Sequence, residues 1–371
     1  MRAVSLDALF TMDFEGMVKE PFAELPPELR SEQFFRVNEL ANLYVDACAR
    51  DVVAEVGSGS AVAAERRDAW AWIERKLTSR RGSAPLPPNS AMRAAILDEL
   101  PGLRAALDLI DQAAIGYPAF LRGDRTGSSI LFDPGSPVLW ETYFSNENPL
   151  YAAGNSLAAH AALLAVRDPS NPCSARAGLR VLEVGAGCGS AAEPLVARLD
   201  TAIQSYRLTD ISPNFLRKAR QRVEAILPRR AQLAIQILDL NREPESWRAT
   251  RGEVDLIHAV NVLHAVRDLV ASLRGLGDLL APGGVLVLGE CIRPSRGYPV
   301  HPEFVFQLFD EFRHVTLDPL ARPEPGFLDE ASWRAALKMA GFARVAIHPD
   351  FSKAVAAYPA HSLGAITAWR E

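Results

Sequence analysis

From Phe34 onward apolar residues return every third or fourth position, at Val37, Ala41, Tyr44, Cys48 and Val52. That spacing lays one stripe along a 3.6-residue helix, with Ser31 just upstream as its N-cap. Trp70, Ile73 and Leu77 form a shorter stripe of the same period. The run RRGSAPLPPNS (80–90) reads as a loop, because its prolines and glycine deny helix. Helical patterns resume over 91–100 and 102–115, and no alternating strand pattern is convincing before residue 128. After about residue 175 the pattern changes. Short apolar runs (RVLEVG, YRLTD, LAIQILD, VDLIHAV and VLVLGE) alternate with helical stretches. Strands buried on both faces read as such runs, and βαβ alternation predicts a parallel sheet covered by helices on both sides. ARVAIHP and GAITAWR, near the end, are expected to form an antiparallel pair at one sheet edge. The expected organisation is a helical region over 1–150 and an α/β domain over 151–371.

Composition narrows the setting. The 371 residues have room for one large domain or two modest ones. With 49% hydrophobic and 23% charged residues the chain is ordinary for a soluble globular protein. A net charge of −5 gives no general attraction for polyanions, so nucleic acid is not an expected partner. Cys48, Cys173, Cys188 and Cys291 show no paired spacing, which fits a reducing compartment. MRAVSLDALFTMDFEG lacks the features of a secretory leader, and no apolar stretch approaches the ~20 residues of a membrane span. A cytoplasmic location without a membrane partner is expected. His258, His264, His301, His314 and Gln307 match no metal-ligand spacing, so no metal is expected.

The chemistry starts at VLEVGAGCGS (181–190), an apolar run leading into Gly185, Gly187 and Gly189. A dinucleotide fold wants G-x-G-x-x-G, whereas position 190 is Ser. A phosphate loop needs a G-K-[ST] ending, which is absent. S-adenosylmethionine has no phosphate, and alternating glycines would let the backbone approach its methionine and ribose portions. Asp210 ends the second strand, 21 residues after Gly189, where a carboxylate can accept both ribose hydroxyls. Asp239 ends the third strand as a partner for an adenine amino group, with Leu240 placed to pack on the ring. Pro282-Gly283-Gly284 turns the chain into the fifth strand. Each feature alone is equally a strand-end cap or a turn; their joint order along the chain is not.

His264 follows the fourth strand and Glu290 ends the fifth. Neighbouring strands would put both at the carboxyl edge, where open α/β sheets bind ligands. A carboxylate on one imidazole nitrogen fixes the tautomer and raises the basicity of the other. Such a pair can take a proton from a carbon lying between two carbonyls. The bland alternative is that His264 caps a helix and Glu290 binds backbone.

VLEVGAGCG, YRLTDISPNFLRKAR, LDLNREPES, NVLHAVRDL, LLAPGGVLVLGE and WRAALKMAGFARV together make the chain recognisable, as do FLRGDRTGSSILFDPGS and NPLYAAGNSLAA upstream. It resembles class I S-adenosylmethionine-dependent methyltransferases. More narrowly it resembles the C-methyltransferase domains of polyketide synthases and the related domains of nonribosomal peptide synthetases, over about residues 118–350. The resemblance implies a Rossmann-like fold, a seven-stranded and mostly parallel sheet with one antiparallel edge strand, under a helical N-terminal lid. It implies that His264 and Glu290 act as a dyad, and that Tyr151 and Asn155 close over cofactor or substrate. Glu183 and Gly185 are expected near the methionine amino group, as is the backbone of Asn261. One departure is Gly189-Ser190-Ala191-Ala192, where the family has a Gly-Thr-Thr-like run.

The implied reaction is methyl transfer to carbon of a small acyl or aminoacyl metabolite, free or tethered to a carrier protein, in natural-product biosynthesis. Oxygen or nitrogen as target is the near alternative. Stand-alone relatives also suggest an intramolecular reaction of S-adenosylmethionine, giving azetidine-2-carboxylate and methylthioadenosine. A degenerate cofactor-binding partner without a working base is a third. The arginines of 210–230 read as a solvated helix face or as a contact for an acidic carrier. The chain is either a stand-alone protein or an excised domain, and its oligomeric state is open.

Overall fold

The computed structural model describes residues 22, 24–79, 86–132, 136–176, 178–242 and 251–370. The N-terminal region is a helical layer. Helix α1 (Glu32–Val56) starts at Ser31, whose hydroxyl accepts the Phe34 amide at 3.2 Å, and buries the stripe through Tyr44, Cys48 and Val52. Helix α2 (Arg67–Thr78) buries Trp70, Trp72 and Ile73. Residues 80–85 of the expected loop lie outside the described residues, and α3 (Asn89–Glu99) begins within its last two positions. Helix α4 (Arg104–Arg122) runs past the expected end at 115, through Gly116 and Pro118. A glycine there is a packing requirement, since a Cβ at Gly116 would strike Ile130. Proline costs one backbone hydrogen bond close to a helix end, which tertiary packing offsets. Helices α5 (Gly127–Leu131), α6 (Ser136–Tyr143) and α7 (Pro149–Arg167) lead to the sheet.

The strands are β1 (Leu179–Val184), β2 (Ile203–Asp210), β3 (Gln232–Ile237), β4 (Val254–Val260), β5 (Leu280–Arg293), β6 (Leu328–Asp329), β7 (Phe342–His348) and β8 (Leu363–Arg370). Their order is β3-β2-β1-β4-β5-β8-β7, with the two-residue β6 pairing off β5. Strands β1 to β5 are parallel, and β8 is antiparallel to both β5 and β7. The expected antiparallel pair is thus present, but the antiparallel strand lies one place in from the edge and β7 is the edge strand. A crossover helix delivers β7 parallel to β5, and the chain then turns back so that β8 fills the gap between them. Between the strands run α8 (Ala192–Leu199), α9 (Pro213–Ile226), α10 (Leu269–Leu279), the short α11 (Glu303–Phe306) and α12 (Asp310–Arg313), α13 (Glu330–Met339) and α14 (Phe351–Ala357).

All seven residues of central β4 are buried. One sheet face packs Val181, Leu208 and Val285 against Leu157, Leu195 and Leu216 of α7, α8 and α9. The other packs Leu182, Ile257 and Leu286 against Leu273 and Trp333 of α10 and α13. Each such aliphatic side chain contributes roughly 1.5–3 kcal/mol on burial. The helical layer has its own core, which also takes Phe304, Val305 and Leu308 from beyond β5. Directed bonds secure that return. Trp72 Nε1 donates to Glu303 Oε2 at 2.7 Å, and the Tyr117 hydroxyl donates to the Phe304 carbonyl at 2.6 Å. Glu303 is fully buried and pairs with Arg293 at the end of β5 at 2.5 Å. The helical layer is therefore tied to the carboxyl end of the strand that carries Glu290. Among the described residues no helix is long and apolar enough to cross a membrane.

Candidate active site

The turn after β1 takes all three glycines through positive φ, at 64°, 51° and 82° for Gly185, Gly187 and Gly189. Their surroundings separate their roles. A Cβ on Gly187 would meet nothing within 4 Å, because the residue opens into a cleft of about 370 Å³. A Cβ on Gly189 would lie 3.0 Å from the Ala219 backbone, so that glycine lets α9 approach and is not part of the cleft wall. Gly185, Gly187, Asp210, Asp239, Leu240, Asn261, Tyr151 and Asn155 all border the cleft.

Asp210 is held on both oxygens: Oδ2 accepts from the Gly187 amide at 2.9 Å and Oδ1 from the Ser212 amide at 2.8 Å. Burial raises its pKa, and those amides pull it back down. Asp239 accepts from the Asn241 amide at 2.9 Å. Asn261 adopts a left-handed φ of 55°, and its amide donates to the Gly289 carbonyl at 2.7 Å, bringing the end of β4 against β5. Asn155 is fully buried, and its Nδ2 donates to Asn146 at 2.8 Å. Asn146 in turn donates to the Ser190 carbonyl at 2.8 Å and to Glu193 at 2.6 Å, fastening the α6–α7 corner onto the glycine turn.

Glu183 departs from expectation. It is 1% exposed and does not border the cleft; the Tyr206 hydroxyl of β2 donates to its Oε2. Side chains alternate along a strand, and Glu183 falls with Val181 on the sheet face packed against α7, α8 and α9. Burial pushes its carboxyl up to about 8. His258, its register partner on β4, is likewise buried and is pushed down to about 4.

The cleft discriminates among the nucleotide classes. No Lys, Arg or His is among the described residues that border it, whereas Asp210 and Asp239 both do. A pyrophosphate would be repelled there; a cationic ligand rich in hydroxyls would be attracted. Asn155 Oδ1 is a buried acceptor with no partner among the described residues, the kind of atom a bound amine satisfies. The residues fit S-adenosylmethionine.

On the far side of Asn261 stand His264 and Glu290, 4% and 0% exposed. His264 Nδ1 lies 2.7 Å from Glu290 Oε2. A carboxylate has no proton to give, so Nδ1–H donates, and in the neutral ring Nε2 carries the lone pair. The other oxygen, Oε1, accepts from the Leu263 amide at 2.8 Å and the Val262 amide at 3.2 Å. Glu290 therefore binds backbone and imidazole at once, which joins the two alternatives the sequence left apart. Arg322, 1% exposed, donates to the His264 carbonyl and, at 2.6 Å, to that of Val266. Burial lowers its pKa to about 10, with Glu290 acting in the opposite sense. Phe327 lies over the His264 ring at 4.5 Å between centroids, and Phe312 meets it edge-on at 6.0 Å. Sequence reasoning missed Arg322, Phe312 and Phe327, because nothing local marks residues that reach a site across some fifty positions. His264 borders an outer channel of about 1030 Å³ that opens past the exposed Arg217 and Lys218 of α9. It does not border the cofactor cleft, whereas Tyr151 and Asn261 border both. Burial raises the Tyr151 pKa well above its usual value, with the Asn261 side chain hydrogen-bonded to the hydroxyl and acting against the shift.

A methyltransferase domain model matches residues 182–286. The chain therefore carries a methyltransferase domain, and its fold and cleft resemble those of class I S-adenosylmethionine-dependent methyltransferases. Within that class it resembles the carbon methyltransferase domains of polyketide synthases. It is 31% identical over 235 residues, 63% of the chain, to the reducing polyketide synthase Preu2 of Preussia isomera, of which it spans only 9%. The CMeT domain of the citrinin polyketide synthase superposes with a TM-score of 0.72 at 19% identity, over 98% of this chain and 96% of that one. The trans-methyltransferase CalH, solved in complex with SAH, superposes with a TM-score of 0.62 at 21% identity, over 90% and 89%.

Proposed function

We propose that this enzyme places its methyl group on carbon, at the acidic C–H of a β-ketoacyl group or a close relative, in natural-product biosynthesis. The observation that carries the proposal is the His264–Glu290 pair, locked at 2.7 Å at the head of the outer channel and outside the cofactor cleft. When bound, S-adenosylmethionine supplies an electrophilic sulfonium methyl. Asp210 would hold the ribose hydroxyls, Asp239 and Leu240 the adenine, and Gly185, Asn155 and the Asn261 backbone the methionine end, with Tyr151 covering the junction with the outer channel. His264 Nε2 would take the proton from the acceptor carbon, freeing its electron pair to bond to the methyl as the sulfonium–methyl bond breaks and S-adenosylhomocysteine leaves. Glu290 stabilises the resulting imidazolium. Its own position is held by the two backbone amides, so the pair needs no rearrangement at the moment of proton transfer. Phe327 and Phe312 keep water off the ring. The channel has room for a carrier-tethered acceptor arm, and its lining mixes Arg217 and Lys218 with Glu141 and Glu311, Lys218 pairing with Glu141.

Co-product analysis tests this reading. Incubation with S-adenosylmethionine and a 3-oxobutyryl pantetheine thioester is expected to release S-adenosylhomocysteine in step with acceptor consumed. Methylthioadenosine formed without any acceptor would overturn it in favour of intramolecular cyclisation.

A further inference from the structure

We infer that the acyl end of the acceptor sits in a small chamber beside His264, and that this chamber sets the chain length the enzyme accepts. The inference rests on the carbon-methylation reading above.

Tyr151 and Asn261 border a third space besides the cofactor cleft and the outer channel, and His264 borders it too. The three spaces therefore meet at these side chains, where the reacting carbon must lie. The thioester arm needs the larger of these spaces, which is the outer channel of about 1030 Å³. The acyl end beyond the reacting carbon is then directed inward. That inner chamber holds about 70 Å³. At roughly 30 Å³ for a water-sized group it takes two or three such groups. A 3-oxobutyryl end, with three non-hydrogen atoms beyond the reacting carbon, fills it.

Part of the wall resists enlargement. Tyr143, Phe327, Cys291 and His301 border the chamber and are 7%, 2%, 9% and 9% exposed. Cys291 belongs to β5 and is in register with Leu363 of β8, another wall residue, so outward movement of either would pull paired strands away from each other. Cys291 and His301 bring no charge to the chamber. Burial keeps the Cys291 thiol protonated, and burial together with Lys76 lowers His301 to about 3. An end bearing a carboxylate is therefore excluded on charge as well as size.

The test is a length series of 3-oxoacyl pantetheine thioesters, from 3-oxobutyryl to 3-oxodecanoyl, read as kcat/KM for the native enzyme and for Leu363→Ala. Apolar pockets discriminate by roughly 10–200-fold per methylene. The native enzyme is expected to lose at least about tenfold at 3-oxohexanoyl relative to 3-oxobutyryl. Leu363→Ala should shift the optimum to a longer chain, a gain that misfolding cannot produce. A parallel series of 2,2-dimethyl-3-oxoacyl thioesters, which lack the acidic C–H, reads binding alone by calorimetry. Equal kcat/KM across the series, or an unshifted optimum in Leu363→Ala, would overturn the chamber's role. Length-ranked binding with no methylation of any acceptor would support the chamber while refuting the carbon-methylation reading.

Discussion

Replacing Glu290 by glutamine exchanges one oxygen for an NH₂ group and should nevertheless remove nearly all of the base's contribution. Oε1 accepts two backbone amides, at 2.8 and 3.2 Å, and backbone amides can only donate. The glutamine oxygen must therefore face them, since the flipped amide would leave buried N–H groups unpaired at about 1–3 kcal/mol each. Its NH₂ group is then left facing His264 Nδ1, 2.7 Å away in the native pair, and it too is a donor. Nδ1 must become the acceptor, the ring proton moves to Nε2, and the lone pair that should take the substrate proton is gone. A positioned general base contributes about 10²–10⁴ in rate, and Glu290→Gln should lose a factor in that range. The assay is single-turnover methyl transfer at saturating cofactor and 3-oxobutyryl thioester. Deuterium wash-in at the acceptor carbon without cofactor should fall in parallel. Cofactor affinity should stay near native, because neither residue of the pair borders the cofactor cleft. His264→Ala should lose as much, and the double variant little more than either alone, since the pair acts as a unit. Transfer by Glu290→Gln within a few-fold of native, or losses that multiply in the double variant, would refute the tautomer argument.

Three further outcomes follow from the same geometry. Asp210→Ala should weaken cofactor binding at least tenfold by calorimetry, because a hydrogen bond to a charged group contributes roughly 1.5–3 kcal/mol; unchanged affinity would remove Asp210 from the site. Gly187→Val should abolish cofactor binding, since its side chain enters the cleft, and lower Tm through the strain of a branched residue at positive φ, whereas Gly189→Val should lower Tm more, since the same strain is joined by a collision with the Ala219 backbone. The reverse order would contradict the roles assigned to the two glycines. Glu183 carries a pKa of about 8 in the fold against 4.5 for the free side chain, so between those values the folded state holds a proton the unfolded state has released, and stability falls as pH rises. The Tm of Glu183→Gln relative to native should therefore climb from pH 5 to pH 8, and a pH-independent difference would show that Glu183 is not held protonated.

Much of this was legible in the chain because it is written locally. The apolar runs of β1 to β5 read directly as strands, since a parallel sheet covered on both faces tolerates little else at those positions. The spacing of Gly185, Asp210, Asp239 and His264 followed, because ligands gather at strand ends. What escaped was non-local. The return of Phe304 and Leu308 into the helical layer depends on contacts such as Trp72 with Glu303, 231 residues apart, which leave no periodic trace. Helix α4 outlasted its expected end because Gly116 is fixed by Ile130 across a helix pair. Glu183 was misplaced because its neighbours in the motif turn into the cleft, and only the pleat decides that it does not. The antiparallel partner was found, but its place one strand in from the edge depends on which gap the final turn fills.

The central claim is that carbon receives the methyl group. Native enzyme given ¹³C-methyl-labelled S-adenosylmethionine and a 3-oxobutyryl pantetheine thioester should yield a product whose labelled methyl is bonded to C2, seen by NMR as ¹³C–¹³C coupling when C2 is labelled as well. A labelled methyl found on oxygen, or an unchanged thioester beside consumed cofactor, would contradict the account.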